Sequence, residues 1–217
     1  MARLTLSFDN GPTAETTPHV LDALARRGLR ASFFVIGEKL AEPTARRQAE
    51  RAKAEGHRIG NHTWSHRTPL GDTPDVDAPE REIGRTQALI RELSSPERWF
   101  RPFGGGGKLG PHLLSPAALR FLREGAYSCV LWNAVPGDWK DPEGWVETAL
   151  EQCAALTHAL VVLHDHVPEA MRRLDRFLGR ALDAGHTFEQ DFPDDCVPLF
   201  RGHVRAPVAP FVADVEA

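Results

Sequence analysis

Apolar stretches with the period of a β-strand alternate with helical stretches along most of the chain. The segment Arg3–Asp9 places apolar residues at every second position, and Gly11-Pro12 ends it. Residues 18–27 then carry apolar side chains at helical spacing, and Gly28 ends this stretch. Because strand and helix keep alternating, we predict an α/β fold with a parallel sheet and helices outside it.

The same couplet of helix and strand recurs along the chain. The predicted strands are residues 3–9, 30–36, 57–61, 99–101, 127–133, 159–163 and 187–189. The predicted helices are residues 18–27, 43–55, 79–93, 116–124, 142–156 and 169–182. Seven strands in 217 residues give about 31 residues per unit, the size of a βα repeat. A closed barrel and an open, doubly wound sheet both fit this pattern, and in both of them ligands bind at the carboxyl ends of the strands.

Composition and charge exclude several classes of protein. The 26 basic residues are interleaved with 30 acidic ones, for a net charge of −4, so we expect no nucleic-acid partner. The longest apolar stretches, residues 31–37 and 159–163, are far shorter than the roughly 20 residues that span a bilayer, so we expect no membrane span. Three cysteines without a CxxC pair predict neither a disulfide framework nor a thiolate zinc site.

The domain prediction follows from the same alternation. We predict a single domain for residues 1–192 and an irregular, proline-containing tail for residues 193–217. We expect this tail to pack on the domain or on a neighbouring subunit of an oligomer. No basic and apolar leader precedes the first strand, so we expect a cytoplasmic location.

Polar side chains with catalytic or metal-binding chemistry follow five of the predicted strands. They are Asp9 and Asn10, His62 and His66, Arg101, Asp138, and His164. The four-residue spacing of His62 and His66 lets two imidazoles share one cation, although this motif alone is weak. Such a site needs a further donor, for which Asp9 and Asn10 are the candidates.

The segments that carry these residues resemble one family, the polysaccharide deacetylases, which are carbohydrate esterases of the NodB-homology type. The similar segments read SFDNGP at 7–12, GNHTWSH at 60–66, FRP at 100–102, DW at 138–139 and LHD at 163–165. The resemblance extends from Leu4 to about Glu189. It implies an irregular, TIM-like (β/α)7 barrel and a hydrolase that removes an acetyl or other small acyl group from the amide or ester of a sugar-like substrate.

The resemblance also implies roles for single residues. It implies Asp9 as the base that acts on a metal-activated water, His164 as the acid, Asp138 as the carboxylate that orients His164, and Arg101 as the partner of Asp9. It implies His62, His66 and Asn10 as the ligands of a divalent metal, which we expect to be zinc. It implies Phe103, Gly104, Trp139 and Leu163 as the residues that line the substrate site, Gly104 through its backbone N–H.

One departure from the family pattern affects the predicted metal site. The family has a second aspartate where this chain has Asn10, and an amide oxygen lacks the full charge of a carboxylate, so we expect weaker metal binding. Three outcomes stay open: a weak but working metal site, a metal-independent amidohydrolase similar to the allantoinase-like relatives, and a carbohydrate-binding pseudoenzyme. The expected small-molecule partner is an acylated sugar or glycan precursor.

Overall fold

The computed structural model describes residues 1–214, which contain nine strands and seven α-helices. The strands are β1 (Arg3–Asp9), β2 (Ser32–Val35), β3 (Arg58–Asn61), β4 (Trp99–Phe100), β5 (Ser128–Cys129), β6 (His158–His164), β7 (Thr187–Glu189), β8 (Leu199–Phe200) and β9 (His203–Val204). The helices are α1 (Thr17–Ala25), α2 (Pro43–Ala54), α3 (Arg85–Leu89), α4 (Pro116–Glu124), α5 (Trp145–Ala154), α6 (Pro168–Met171) and α7 (Leu174–Asp183).

These elements form two compact units. The first unit contains residues 1–33, 39–58 and 132–193. The second unit contains residues 34–38 and 59–131 together with the chain from Asp194 onward.

The first unit is built on the parallel pair β1 and β6, whose register runs from Arg3 opposite His158 to Asp9 opposite His164. Strand β7 also pairs with β1 in parallel. Every residue of β6 before His164 is buried, which is typical of a parallel strand with both faces covered. This register places Asp9 and His164 side by side at the carboxyl ends of their strands.

Helices α5 and α7 cover the first unit with aromatic side chains. The rings of Trp145 and Phe177 lie 5.4 Å apart, and both side chains are fully buried. The Trp145 indole N–H donates to the carbonyl of Ala170 at 3.1 Å, so the polar atom of this core residue is satisfied. The predicted helix 169–182 is divided here into α6 and α7.

The second unit contains strands of both directions. Strands β3, β4 and β5 pair in parallel, whereas β8 pairs with β5, and β9 with β8, in antiparallel fashion. The prediction of parallel strands is therefore confirmed for the repeated part of this unit, and the antiparallel pair is an addition that the sequence pattern did not indicate.

The structure differs from the predicted helix at 79–93. A π-helical turn, Glu80–Gly84, precedes a short α3. The Asn61 side chain donates to the carbonyl of Ile83 at 2.9 Å, which satisfies a backbone acceptor of the widened turn. The helical periodicity is therefore present, but a side-chain contact from a distant strand accompanies the wider turn.

The described part of the predicted tail also differs from the expectation of an irregular segment. Residues 194–214 contain β8, β9 and two short 3-10 helices, and their Cys196, Val197 and Leu199 side chains are buried. The N–H of Leu131 donates to the carbonyl of Cys196 at 2.8 Å, so the predicted strand 127–133 leaves its regular ladder after β5. Residues 215–217 of the predicted tail lie outside the described residues.

Helix length bears on the expected absence of a membrane span. Among the described residues, none of the helices has both the length and the apolar character that crossing a bilayer requires.

Candidate active site

The first unit holds six of the predicted site residues. They are Asp9, Asn10, Asp138, Trp139, Leu163 and His164. Asp9 is 4% exposed and ends β1, while His164 ends β6. A parallel register thus brings a buried carboxylate next to an imidazole, which is the pair that an acid and base mechanism needs.

Asp138 holds His164 through two hydrogen bonds. One carboxylate oxygen accepts from the His164 backbone N–H at 2.8 Å, and the other lies 2.8 Å from His164 Nδ1. Since a carboxylate only accepts, we assign the Nδ1 proton to this bond. Burial lowers the pKa of His164, but the hydrogen bond and charge of Asp138, with the charges of Asp9 and Asp165, raise the pKa above its ordinary value.

Trp139 contacts the His164 imidazole, whereas the Leu163 side chain points to the opposite face of β6. The Trp139 ring meets the His164 ring edge to face, with centroids 4.6 Å apart. Leu163 is fully buried and directly precedes His164 on β6, so the two side chains point to opposite faces of the strand. The role of Leu163 in lining an acyl pocket stays a prediction.

Asn10 has an unusual environment for an amide. Its backbone is left-handed, with φ at 70°, a conformation that Asn tolerates better than most residues. Its Oδ1 is buried and has no hydrogen-bond partner among residues 1–214. Its backbone carbonyl accepts from the Lys39 ammonium at 2.5 Å. A buried oxygen without a donor fits a cation ligand, which would satisfy it.

Sequence reasoning assigned no catalytic or binding role to Lys39 or Asp165, which lie next to this turn. Asp165 is fully buried, accepts from the Thr17 hydroxyl at 2.6 Å, and has a pKa raised by burial to about 6. A Cβ at Gly11 would lie 2.1 Å from its carboxylate, so position 11 has no space for a side chain. Lys39 and Asp165 lie three and two residues after predicted strands, and this position was the available signal, although such residues also cap turns.

The second unit holds the two predicted histidine ligands. His62 is buried, and its Nδ1 lies 2.8 Å from the carbonyl of Arg101, which we assign as an N–H donation. This bond leaves Nε2 as the nitrogen with the lone pair, as in histidines that ligate metals. The rings of His62 and His66 have centroids 4.7 Å apart, so the spacing inferred from the sequence does bring the imidazoles together.

Arg101 and the glycine loop that follows it belong to the same unit. Arg101 is fully buried, donates to the carbonyl of Leu131 at 3.2 Å and lies 4.1 Å from the centre of the Phe34 ring. The Phe103 ring is 4.0 Å from the His66 ring, whereas the Gly104 carbonyl lies 3.3 Å from His112 Nε2. The predicted pairing of Arg101 with Asp9, and the donation by the Gly104 N–H, stay predictions.

Comparison with known proteins identifies the family. The family model described as polysaccharide deacetylase matches residues 2–109. The chitooligosaccharide deacetylase of Rhizobium leguminosarum bv. phaseoli is 34% identical over 172 residues, which are 76% of this chain and 69% of that protein. The chain belongs to the polysaccharide deacetylase family. The peptidoglycan-N-acetylglucosamine deacetylase PgdA of Listeria monocytogenes is 27% identical over 188 residues, 86% of this chain, but the chain spans only 37% of that protein's length.

Solved structures support the same fold. A structure described as T48 deacetylase with substrate has a TM-score of 0.68 and 27% identity, and the match covers 87% of both chains. A family 4 acetyl xylan esterase from Clostridium thermocellum in complex with a cobalt ion has a TM-score of 0.69 and 25% identity over 86% of this chain and 87% of that one. BA3943 from Bacillus anthracis, a CE4 family pseudoenzyme, has a TM-score of 0.72 at 18% identity over 88% and 67% of the two chains, which shows the fold alone. The predicted α/β fold class, the (β/α)7 type of this family, is confirmed.

Proposed function

We propose that this chain is a hydrolase that removes an N-linked acetyl group from a small acetylated sugar or glycan. The observation that carries the proposal is the pair at the ends of β1 and β6, a buried Asp9 opposite a His164 that Asp138 orients. The relatives named as peptidoglycan and chitooligosaccharide deacetylases support an acetylated glycan as the substrate class. The family's activity on carbon–nitrogen bonds supports an amide.

In this proposal the two side chains move protons in opposite directions. Asp9 accepts a proton from the attacking water at a carboxylate oxygen. His164 carries a proton on Nε2 and delivers it to the leaving amine, while its Nδ1–H stays on Asp138. A neighbouring carboxylate keeps an imidazole protonated at neutral pH, since the ordinary histidine pKa of about 6.5 would leave it mostly neutral. Trp139 covers one side of His164.

A divalent metal fits the donors that the chain offers. From the resemblance to the family we propose the Asn10 oxygen, His62 and His66 as its donors, and the buried Oδ1 of Asn10 without a hydrogen-bond partner supports the role of Asn10. When bound, such a metal lowers the pKa of water and polarises a carbonyl. Zinc suits two imidazoles best, and the uncharged amide predicts weak binding.

The uncharged side chain of Asn10 also favours a second candidate, hydrolysis without a metal. In that case Asp9 activates the attacking water directly, without a metal ion. Activity that survives a chelator at metal contents below about a tenth of an equivalent supports this candidate. Sugar binding without any acetate release supports the pseudoenzyme instead.

The proposed function is tested by acetate release from an N-acetylated chitooligosaccharide, with Zn²⁺ supplied. We expect Asp9→Asn and His164→Gln each to lower kcat by about 10²–10⁴-fold, because each removes one proton carrier. Asp183→Asn, which changes an exposed carboxylate at the end of α7, is the matched control and should keep full activity. Acetate release at the wild-type rate in both site variants would contradict the assigned acid and base.

The cytoplasmic location and an oligomer formed through residues 193–217 also stay predictions. Fractionation of cells that express the full-length protein, and the mass of the purified protein in solution, test these two statements.

A further inference from the structure

The loop that carries His62 and His66 contains unfavourable backbone. Thr63 and His66 are left-handed, with φ at 67° and 54°, although neither is glycine. Such a residue costs of the order of 1–3 kcal/mol, and it persists where the surrounding structure fixes it. The conformation of this loop, and with it the position of the two histidines, therefore depends on contacts from the surrounding structure.

Glu82 makes three hydrogen bonds to the middle of this loop. One carboxylate oxygen accepts from the backbone N–H groups of Trp64 and Ser65, at 3.0 and 2.8 Å. The other accepts from the Ser65 hydroxyl at 2.8 Å. A single side chain thus satisfies both amides that lie between Thr63 and His66, and hydrogen bonds to a charged acceptor are the stronger kind.

Glu82 is itself fixed, because it lies in the π-helical turn Glu80–Gly84. Asn61 connects this turn to the loop: its amide nitrogen donates to the carbonyl of Ile83 at 2.9 Å, and its amide oxygen accepts from the Thr63 N–H at 3.0 Å. After the turn, the Arg85 guanidinium lies 3.4 Å from the centre of the Trp64 ring. A π-turn of this kind is frequent at functional sites.

We propose that Glu82 is a positioning residue, which holds His62 and His66 in the geometry that lets both imidazoles bind one metal ion. The proposal rests on the proposed function for the role of the two histidines. Glu82 contacts the loop between them, at the backbone of Trp64 and at the backbone and hydroxyl of Ser65. Because a neutral imidazole brings no charge to the cation, metal affinity depends strongly on a loop that is already ordered before the metal binds.

The test compares Co²⁺ binding to Glu82→Ala, Glu82→Gln and the wild-type protein, with Glu92→Gln as the matched control. Glu92 follows on the same segment, and its side chain is 80% exposed. We expect Glu82→Ala to weaken Co²⁺ binding about 10–100-fold, the usual effect of removing such a support. Glu82→Gln should lose less than about fivefold, because its oxygen can accept both N–H groups and its NH₂ can donate to Ser65. Glu92→Gln should bind as the wild type does.

Two measurements that need no metal separate this proposal from the proposed function. Amide hydrogen exchange at Trp64 and Ser65, and the NMR ring resonances of His62 and His66, should change in Glu82→Ala and stay near wild type in Glu82→Gln. Unchanged resonances, or unchanged Co²⁺ affinity in Glu82→Ala, would overturn the role of Glu82. If the wild-type protein binds no Co²⁺, the metal part of the proposed function fails, and the ring resonances alone decide whether Glu82 positions the pair.

Discussion

At the scale of single residues, unsatisfied hydrogen-bonding capacity distinguishes Asn10 from Asp138 and Glu82. The fully buried Asp138 and the half-buried Glu82 use both carboxylate oxygens, whereas the Oδ1 of Asn10 has no donor among residues 1–214. Leaving a buried polar atom unpaired costs about 1–3 kcal/mol. The buried Oδ1 without a hydrogen-bond donor, next to the end of β1, is therefore the main structural support for Asn10 as a metal ligand.

This reasoning predicts how substitutions at position 10 change metal binding. Asn10→Asp should tighten Zn²⁺ binding by about 10–100-fold, because a carboxylate adds a full charge to an oxygen that is already buried. Asn10→Gly, which tolerates the left-handed φ of 70° and removes the oxygen, is the control and should weaken it. Isothermal titration calorimetry measures both. Equal affinities of Asn10→Asp and the wild type would show that the amide does not limit binding.

At the scale of secondary-structure elements, the buried His57 links the residues that precede β2 and β3. The Ala31 N–H, just before β2, donates to Nδ1 of His57, just before β3, at 3.0 Å. This bond requires a lone pair on Nδ1. Burial, together with the charges of Arg30 and Arg51, lowers the pKa of His57 to about 4, against the smaller opposing effect of Glu55.

The low pKa of His57 predicts acid sensitivity. Because the pKa is about 4 in the folded chain and about 6.5 in the unfolded chain, protons bind preferentially to the unfolded chain. The contribution to stability is complete above pH 6.5 and is lost as the pH falls through 4, by up to about 3 kcal/mol. The Tm of His57→Gln, which keeps an acceptor but cannot titrate, should fall less between pH 7 and 4 than that of the wild type. Parallel Tm curves for the two proteins would contradict this assignment.

The spacing of apolar residues predicts the ends of some elements correctly and misses a distortion inside another. The strands β1 and β7 and the helix α4 begin and end where the pattern predicts, since their apolar spacing is regular and Pro116 and Gly125 mark the ends of α4. The helix predicted at 79–93 contains a π-turn whose carbonyl hydrogen-bonds to Asn61, about 20 residues away in the sequence. Such a contact has no signature in a local pattern.

At the scale of the whole molecule, the last segment contributes to the core of the second unit. Leu199 of β8 is fully buried, and it pairs with Cys129 of β5. The backbone bridge between Leu114 and Val212 adds a further link to the same unit. The described residues after 193 thus supply both buried side chains and strand pairing.

A chain that ends at Pro193 should therefore be much less stable than one that ends at Asp214. The shorter chain loses the burial of Cys196, Val197 and Leu199, and each such side chain contributes about 1.5–3 kcal/mol. We expect a loss of the order of 5 kcal/mol in the free energy of unfolding, measured by urea denaturation. The chain that ends at Asp214 retains every described contact and serves as control. Equal urea midpoints for the two chains would show that the tail is dispensable.

The sequence by itself determined the α/β class, the order of strands and helices, and the residues at the strand ends, because these follow from periodicity and from motifs that are local in the chain. The register that sets Asp9 beside His164, the two bonds from Asp138 and the orphan oxygen of Asn10 were decided by tertiary structure alone. The same holds for Glu82, whose carboxylate reaches a loop 17 residues earlier in the chain. Hydrogen bonds between distant segments depend on how the elements pack, and the spacing of apolar residues along the chain does not determine that packing.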